Sequence, residues 1–263
     1  MAKKGKLKGK NVGQKQNYGK SNAPLQEIEP HRPMTIRITA LSPLHLGSGY
    51  ADINVDADVV QDDVGLPYFP AKRLKGLLYE SGLEVAEMAA SSGLEDLIGK
   101  TELDALFQRG CEGDVQIVMH NLYIEHYTAI HDDLAYLQTK CKAIFRSSDV
   151  LDSFSNLRWQ TAIDRETGIA KATTLHNMRV LEKGITFSGD VQMIGADLRH
   201  LNILALAVRN LSQCGGKRTR GFGRIACTLL QKNRDIGTQI VEEVLNEATE
   251  RGGAPDVRNE DTD

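Results

Sequence analysis

Apolar and polar residues alternate through Thr35-Ile36-Arg37-Ile38-Thr39-Ala40-Leu41. That is the period of a strand with one buried face. The same reasoning predicts strands at 115–123, 186–194 and 224–230. Helical spacing appears over 71–90, where Leu74, Leu77, Leu78, Leu83, Val85 and Met88 supply an apolar side. Pro67 and Pro70 precede this helix; proline suits a helix start because its missing N–H has no partner there. Helices are also predicted at 198–211 and, with a more polar character, at 236–249. Residues 131–144 read as a helix or an irregular insertion, and 50–65 as a loop with a short strand at 58–60. The stretch 145–178 is polar, with Asp164-Arg165-Glu166-Thr167-Gly168 as a turn signal. The order is β, loop, α, β, insertion, β, α, β, α. It predicts an α+β fold: a ferredoxin-like sheet with helices on one face.

Composition narrows the picture. The chain has 263 residues, 41% hydrophobic and 25% charged, which is globular and excludes a collagen-like or wholly disordered chain. No apolar run nears the roughly 20 residues that span a bilayer, and the first thirty lack an apolar h-region. A cytoplasmic protein is therefore expected. Cysteines at 111, 141, 214 and 227 form no CxxC pair, so reduced thiols are expected. His120, His126 and His131 lie near Cys111 and Cys141 but match no zinc spacing; exposed or satisfied histidines are the better reading.

The net charge of -3 conceals an asymmetry. Residues 1–32 carry +6, residues 232–263 carry -5, and 33–231 carry -4. The domain plan that follows has a disordered basic arm at 1–33, a ferredoxin-like domain at 34–231 and a polar helix with an acidic tail at 232–263. The arm is either an inert solubilising tail or a nucleic-acid contact. With a mildly acidic centre, any RNA contact must concentrate in local basic patches.

Two such patches stand out. Gly215-Gly216-Lys217-Arg218-Thr219-Arg220-Gly221-Phe222-Gly223-Arg224 packs four glycines and four cations between a helix and a strand. Glycine permits close backbone approach, and exposed N–H groups flanked by cations bind phosphate. It is not a Walker loop, since Gly216-Lys217 is followed by Arg. A plain αβ connection needs neither the glycines nor the cations. In the second patch, Lys72, Arg73 and Lys75 crowd the first turn of a helix, where the dipole disfavours cations unless an anion binds. The alternative is a solvated first turn. The acidic loop with Asp52, Asp56, Asp58, Asp62 and Asp63 has no calcium-loop spacing. One of its carboxylates could hold Mg²⁺ or take a proton from a 2′-OH, although a loop Asp is more often a turn residue. His45 stands between two leucines, as a general base or a partly buried structural histidine.

Together these stretches resemble the RAMP superfamily of CRISPR-associated proteins, and above all the repeated backbone subunit of type III effector complexes. The resemblance rests on Leu41-Ser42-Pro43-Leu44-His45-Leu46-Gly47, on Gly65-Leu66-Pro67-Tyr68-Phe69-Pro70 continuing into Leu74-Lys75-Gly76, and on the 215–223 loop. Ala162-Ile163-Asp164-Arg165-Glu166-Thr167-Gly168-Ile169-Ala170 is similar to the family's β-hairpin thumb. The thumb insertion is placed at about 145–178. The likeness spans about 34–231.

The resemblance implies a ferredoxin-like, RNA-recognition-type core. It implies assembly with copies of itself and other CRISPR effector subunits along a guide CRISPR RNA. It also implies target-RNA cleavage at regular intervals, with an Asp and Mg²⁺ (or Mn²⁺) at each thumb-displaced nucleotide. Asp56 is then catalytic and metal-binding, with Asp58 and Asp52 as alternatives. The implied RNA-binding set is His45, Lys72, Arg73, Lys75, Arg158, Trp159, Arg165, Gly215, Gly216, Lys217, Arg218, Arg220, Gly221, Phe222 and Gly223. Trp159 reads equally as a core residue. Lys72-Arg73 replace the family's usual small hydroxyl residues before the LKG stretch. Two other functions stay open: a binding-only architectural subunit, and a metal-independent guide-processing endoribonuclease with His45 as base.

Overall fold

The computed structural model describes residues 28–51, 54–110, 113–141 and 144–252. Most of the basic arm, the acidic tail beyond 252, Asp52 and Cys111 lie outside the described residues.

Strand β1 (Met34–Ala40) is central. It pairs antiparallel with β6 (Thr186–Ile194) on one side and β7 (Ile225–Gln231) on the other. The sheet order is β2–β6–β1–β7–β8, where β2 is Gln116–Met119 and β8 is Arg234–Asp235; β3 (Tyr123–Ile124) also pairs with β6. The four long-connected strands thus run fourth, first, third, second, with every neighbour antiparallel, which is the ferredoxin-like arrangement. Met34, Ile36, Ile38 and Ala40 turn to one face and are buried. Helices α1 (Ala71–Ser91), α5 (Leu198–Asn210) and α6 (Ile236–Gly252) cover that face. Phe69 and Phe187 meet edge-on beneath them, with ring centroids 6.4 Å apart. The opposite face of the central strands shows Thr35, Arg37, Thr39, Ser188, Asp190 and Thr228. An Asp197–His200 capping box starts α5, with both orphan amide groups satisfied reciprocally.

Several elements differ from expectation. The strand expected at 115–123 splits into β2 and β3, because the Asn121 side chain turns away to accept the Ala71 amide at 2.9 Å. Helix α2 (Lys100–Phe107) was not expected, and α3 (Tyr127–Lys140) starts four residues early. The short strand expected at 58–60 is reduced to isolated bridges, Gly47 with Val59 and Gln61 with Pro67. Pro70 is the extended N-cap of α1. The polar 145–178 stretch holds α4 (Ser147–Asp152) and β4 (Ser155–Gln160), which pairs with β5 (His176–Leu181) as a separate two-stranded sheet. No helix among the described residues is long and apolar enough to cross a membrane.

Candidate nucleic-acid interface

The glycine loop folds back on itself and onto the segment that leaves β1. The Cys214 amide donates to the Gly223 carbonyl at 2.8 Å, closing its neck. Gly223 then donates to the Pro43 carbonyl at 2.9 Å, and Gly216 to the His45 carbonyl at 3.0 Å. Two positions demand glycine. At Gly223 φ is +76°, and a Cβ would sit 1.9 Å from the Cys214 carbonyl oxygen. At Gly215 φ is +81°, and a Cβ would sit 2.5 Å from the His45 carbonyl oxygen. Between them, Arg218–Arg220 make one 3₁₀ turn, entered by Lys217 at φ 57° and left by Gly221 at φ 83°. Arg218, Arg220 and Gly221 are exposed; Gly216, Lys217 and Phe222 are half-buried. The Lys217 ammonium donates to Gln160 Oε1 and lies 3.3 Å from His176 Nε2. Burial, and then the neighbouring Arg220 charge, hold it below the ordinary lysine range. At the neck, burial pushes the Cys214 thiol up to about 12, so this cysteine packs as an inert apolar group.

His45 is the post under the loop. Its Nδ1 lies 2.7 Å from the Arg179 carbonyl. Leu44 and Leu181 exchange backbone hydrogen bonds at 3.0 and 2.8 Å, stitching this segment to β5. The Arg179 side chain is only 9% exposed; Nε donates to Asp58 at 2.9 Å, and Nη1 donates to Ser155 Oγ at 3.0 Å and to Asp152. The Arg179 amide donates to Ala57 at 2.9 Å. This cluster separates two of the candidate carboxylates. Asp58 is paired with a buried cation. Asp56 is exposed: its Oδ2 accepts the Asn177 amide at 2.7 Å, while its own amide donates to Asn177 Oδ1 at 2.8 Å. The reciprocal pair clamps Asp56 to strand β5 of the thumb.

The three cations opening α1 diverge. Lys72 is exposed. Arg73 reaches the Gly47 carbonyl at 2.8 Å. Lys75 reaches the Ile117 carbonyl at 3.4 Å, and burial, then Arg109, lower its pKa. No acidic residue occupies this first turn.

The thumb is β4, β5 and the long turn between them. Asp164 accepts the Glu166 and Thr167 amides at 3.0 and 3.1 Å, and these bonds hold its carboxyl below the ordinary range. Arg158 and Arg165 are exposed. Trp159 is 62% exposed, which settles its position on the surface and not in the core. Elsewhere, Asp62, Asp63 and His131 bring donor atoms within 4.8 Å of one another. Asp62 is already engaged by the Leu66 amide at 2.8 Å and the Tyr127 hydroxyl at 3.0 Å, and His131 by Asp63 at 3.2 Å. His120 and His126 are exposed.

Sequence reasoning missed Gln160 and His176, which join the thumb to the glycine loop, and Arg179 and Asn177, which join it to the segments of His45 and Asp56. The available signal was the run Met178-Arg179-Val180-Leu181, an apolar segment interrupted by one cation.

A family model described as the RAMP superfamily matches residues 37–226. No curated protein matches this chain. Among solved structures, a chain of "Type III-B Cmr-beta bound to cognate target RNA" is similar, with a TM-score of 0.55 and 12% identity over 80% of this chain and 99% of that one. A chain of the Type III-B Cmr-beta apo state gives a TM-score of 0.55 and 11% identity over 78% of this chain and 99% of that one. At such identity the likeness is one of fold.

Proposed function

This chain belongs to the RAMP superfamily, and from that premise we propose that it is an RNA-binding backbone subunit of a type III CRISPR effector complex that cuts target RNA beside its thumb. The glycine loop carries the reading: Gly215–Gly223 are seated so closely on Pro43 and His45 that the loop's cations are displayed on a fixed frame. A guide needs gripping by its phosphates alone, because base pairing supplies sequence specificity. Arg218 and Arg220 at the loop and Lys72 at the start of α1 provide that grip without reading bases.

Cleavage falls to Asp56. Its clamp to Asn177 holds the carboxylate against strand β5 of the thumb, where a displaced nucleotide would bring its 2′-oxygen into line with phosphorus. The Asp56 carboxylate would take the 2′-OH proton. A single exposed carboxylate fits Mg²⁺, which commonly binds one or two carboxylates and fills its remaining positions with water and phosphate; when bound, the ion would stabilise charge on the phosphoryl oxygens. The packing of His45 beneath Gly216 favours a role in seating the loop over one as a general base.

The test is cleavage of labelled target RNA by the assembled complex, with Mg²⁺ or EDTA, for wild type and Asp56→Ala. Wild type should cut at regular intervals and only with metal. Asp56→Ala should bind equally and cut at least about 100-fold more slowly. Undiminished cutting by the variant removes Asp56 from the chemistry. Binding without any cutting by wild type makes the subunit architectural.

A further inference from the structure

A groove of about 320 Å³ opens between the loop that carries Asp56 and the start of α1. That volume lies at the small end of ligand sites, roughly 300–1,000 Å³. Tyr50, Tyr68, Val59 and Pro70 give it flat apolar walls, and Ser48 and Gln61 give it a polar rim.

The two tyrosines are supported differently, Tyr50 through its main chain and Tyr68 through its ring. Tyr50 is 79% exposed, yet its amide donates to Ser48 Oγ at 3.2 Å and its carbonyl accepts the Asp58 amide at 3.2 Å. Tyr68 ends a ladder of rings. It lies 5.9 Å from Tyr123, which stacks on Tyr127 at 4.0 Å, and Tyr127 lies 5.4 Å from His131. A planar guest therefore meets, at Tyr68, a ring that needs little ordering, which favours binding.

The charges around the groove select the guest. Asp58 turns its carboxylate to Arg179, so the one acid of the lining is neutralised. Arg73 is anchored on the Gly47 carbonyl, next to Ser48 of the rim. Lys72 is exposed two residues beyond Pro70. A flat ring attached to an anion suits these walls and these cations together. The Gln61 amide both donates and accepts, so it can meet the edge of any base.

We propose that this groove receives one unpaired base of the bound RNA, stacked against Tyr68 with Tyr50 as the facing wall and its phosphate drawn to Lys72 and Arg73. The assignment rests on the RNA-binding reading above and adds to it a stacking site beside Asp56. Stacking tolerates all four bases, because each has a π face.

The test uses the full-length chain and single-stranded RNA carrying 4-thiouridine. Irradiation should cross-link the RNA to the peptide holding Tyr50 or Tyr68. Tyr50→Ala should weaken RNA binding about fivefold or more. It should leave the salt dependence unchanged, because a ring releases no counterion. Tyr50→Phe should bind as wild type, since the face and not the hydroxyl is used. An unchanged thermal midpoint for Tyr50→Ala would show that folding is intact. If wild type binds RNA but Tyr50→Ala binds equally and no cross-link maps to the groove, the base site is overturned and the phosphate grip stands. The same holds if Tyr50→Ala alters only association between protein chains. If wild type binds no RNA, both readings fall.

Discussion

The seat of the glycine loop and the thumb share strand β5, but they are built in opposite ways. The seat directs its contacts inward: main-chain hydrogen bonds to Pro43 and His45, glycines with no room for a side chain, and the buried Arg179 cluster. The thumb is held by turn chemistry at Asp164 and a Thr161–Thr174 hydroxyl contact at 3.0 Å. Trp159, Ile163, Ile169 and Leu175 are left in solvent. A region that must hold a fixed shape uses its polar groups internally. A region held only by its own turns leaves its apolar side chains in solvent, free for contact with another surface. Lys217 joins the two by donating from the loop to Gln160 of the thumb.

The contrast can be tested, the largest effect first. Arg179→Ala should cost about 3 kcal/mol in urea denaturation, because it leaves Asp58 unpaired in a poorly solvated place. A cost under about 1 kcal/mol would mean that the seat does not depend on this cation. Changing Lys217, Arg218 and Arg220 together to Ala should weaken single-stranded RNA binding about tenfold and reduce the slope of log affinity against log salt by about 2. An unaltered slope would place the phosphate grip elsewhere. Trp159→Ala should change stability by no more than about 0.5 kcal/mol, as expected at an exposed site, while reducing cleavage by the assembled complex. A melting transition that falls by many degrees would instead reveal a packing role for this ring.

The parts of the molecule that sequence made legible are those where one face is dry and the other wet. β6 matches its expected bounds of 186–194, and α1 extends one residue past its expected end at 90, because burial on one side imposes period 2 or 3.6 on the residues. β5 was hidden for the converse reason. Five of its six residues are buried, two of them Asn177 and Arg179, so it shows neither alternation nor an apolar run. The glycine loop was legible as a candidate because positive φ and close approach leave a compositional trace. What it sits on was not, since backbone carbonyls at Pro43 and His45 carry no side-chain signature. Asp56 and Asp58 look alike in sequence; only the position of Arg179, more than a hundred residues away, distinguishes them.

The bare face of the central strands has a consequence of its own. Many RNA readers with this topology lay nucleotides across the middle of the sheet on aromatic platforms. Here β1, β6 and β7 place hydroxyls, Asp190, Gln192, the Arg37 guanidinium, Ala226 and Leu230 on this side, and Tyr123 of β3, paired with Ser188, brings a ring to the same side away from β1 and β7. Nucleotides laid across β1 and β7 would gain no stacking energy from those two strands. Grafting phenylalanine at positions 35 and 228 would give these central strands a platform they now lack, and single-stranded RNA should then bind across them by stacking.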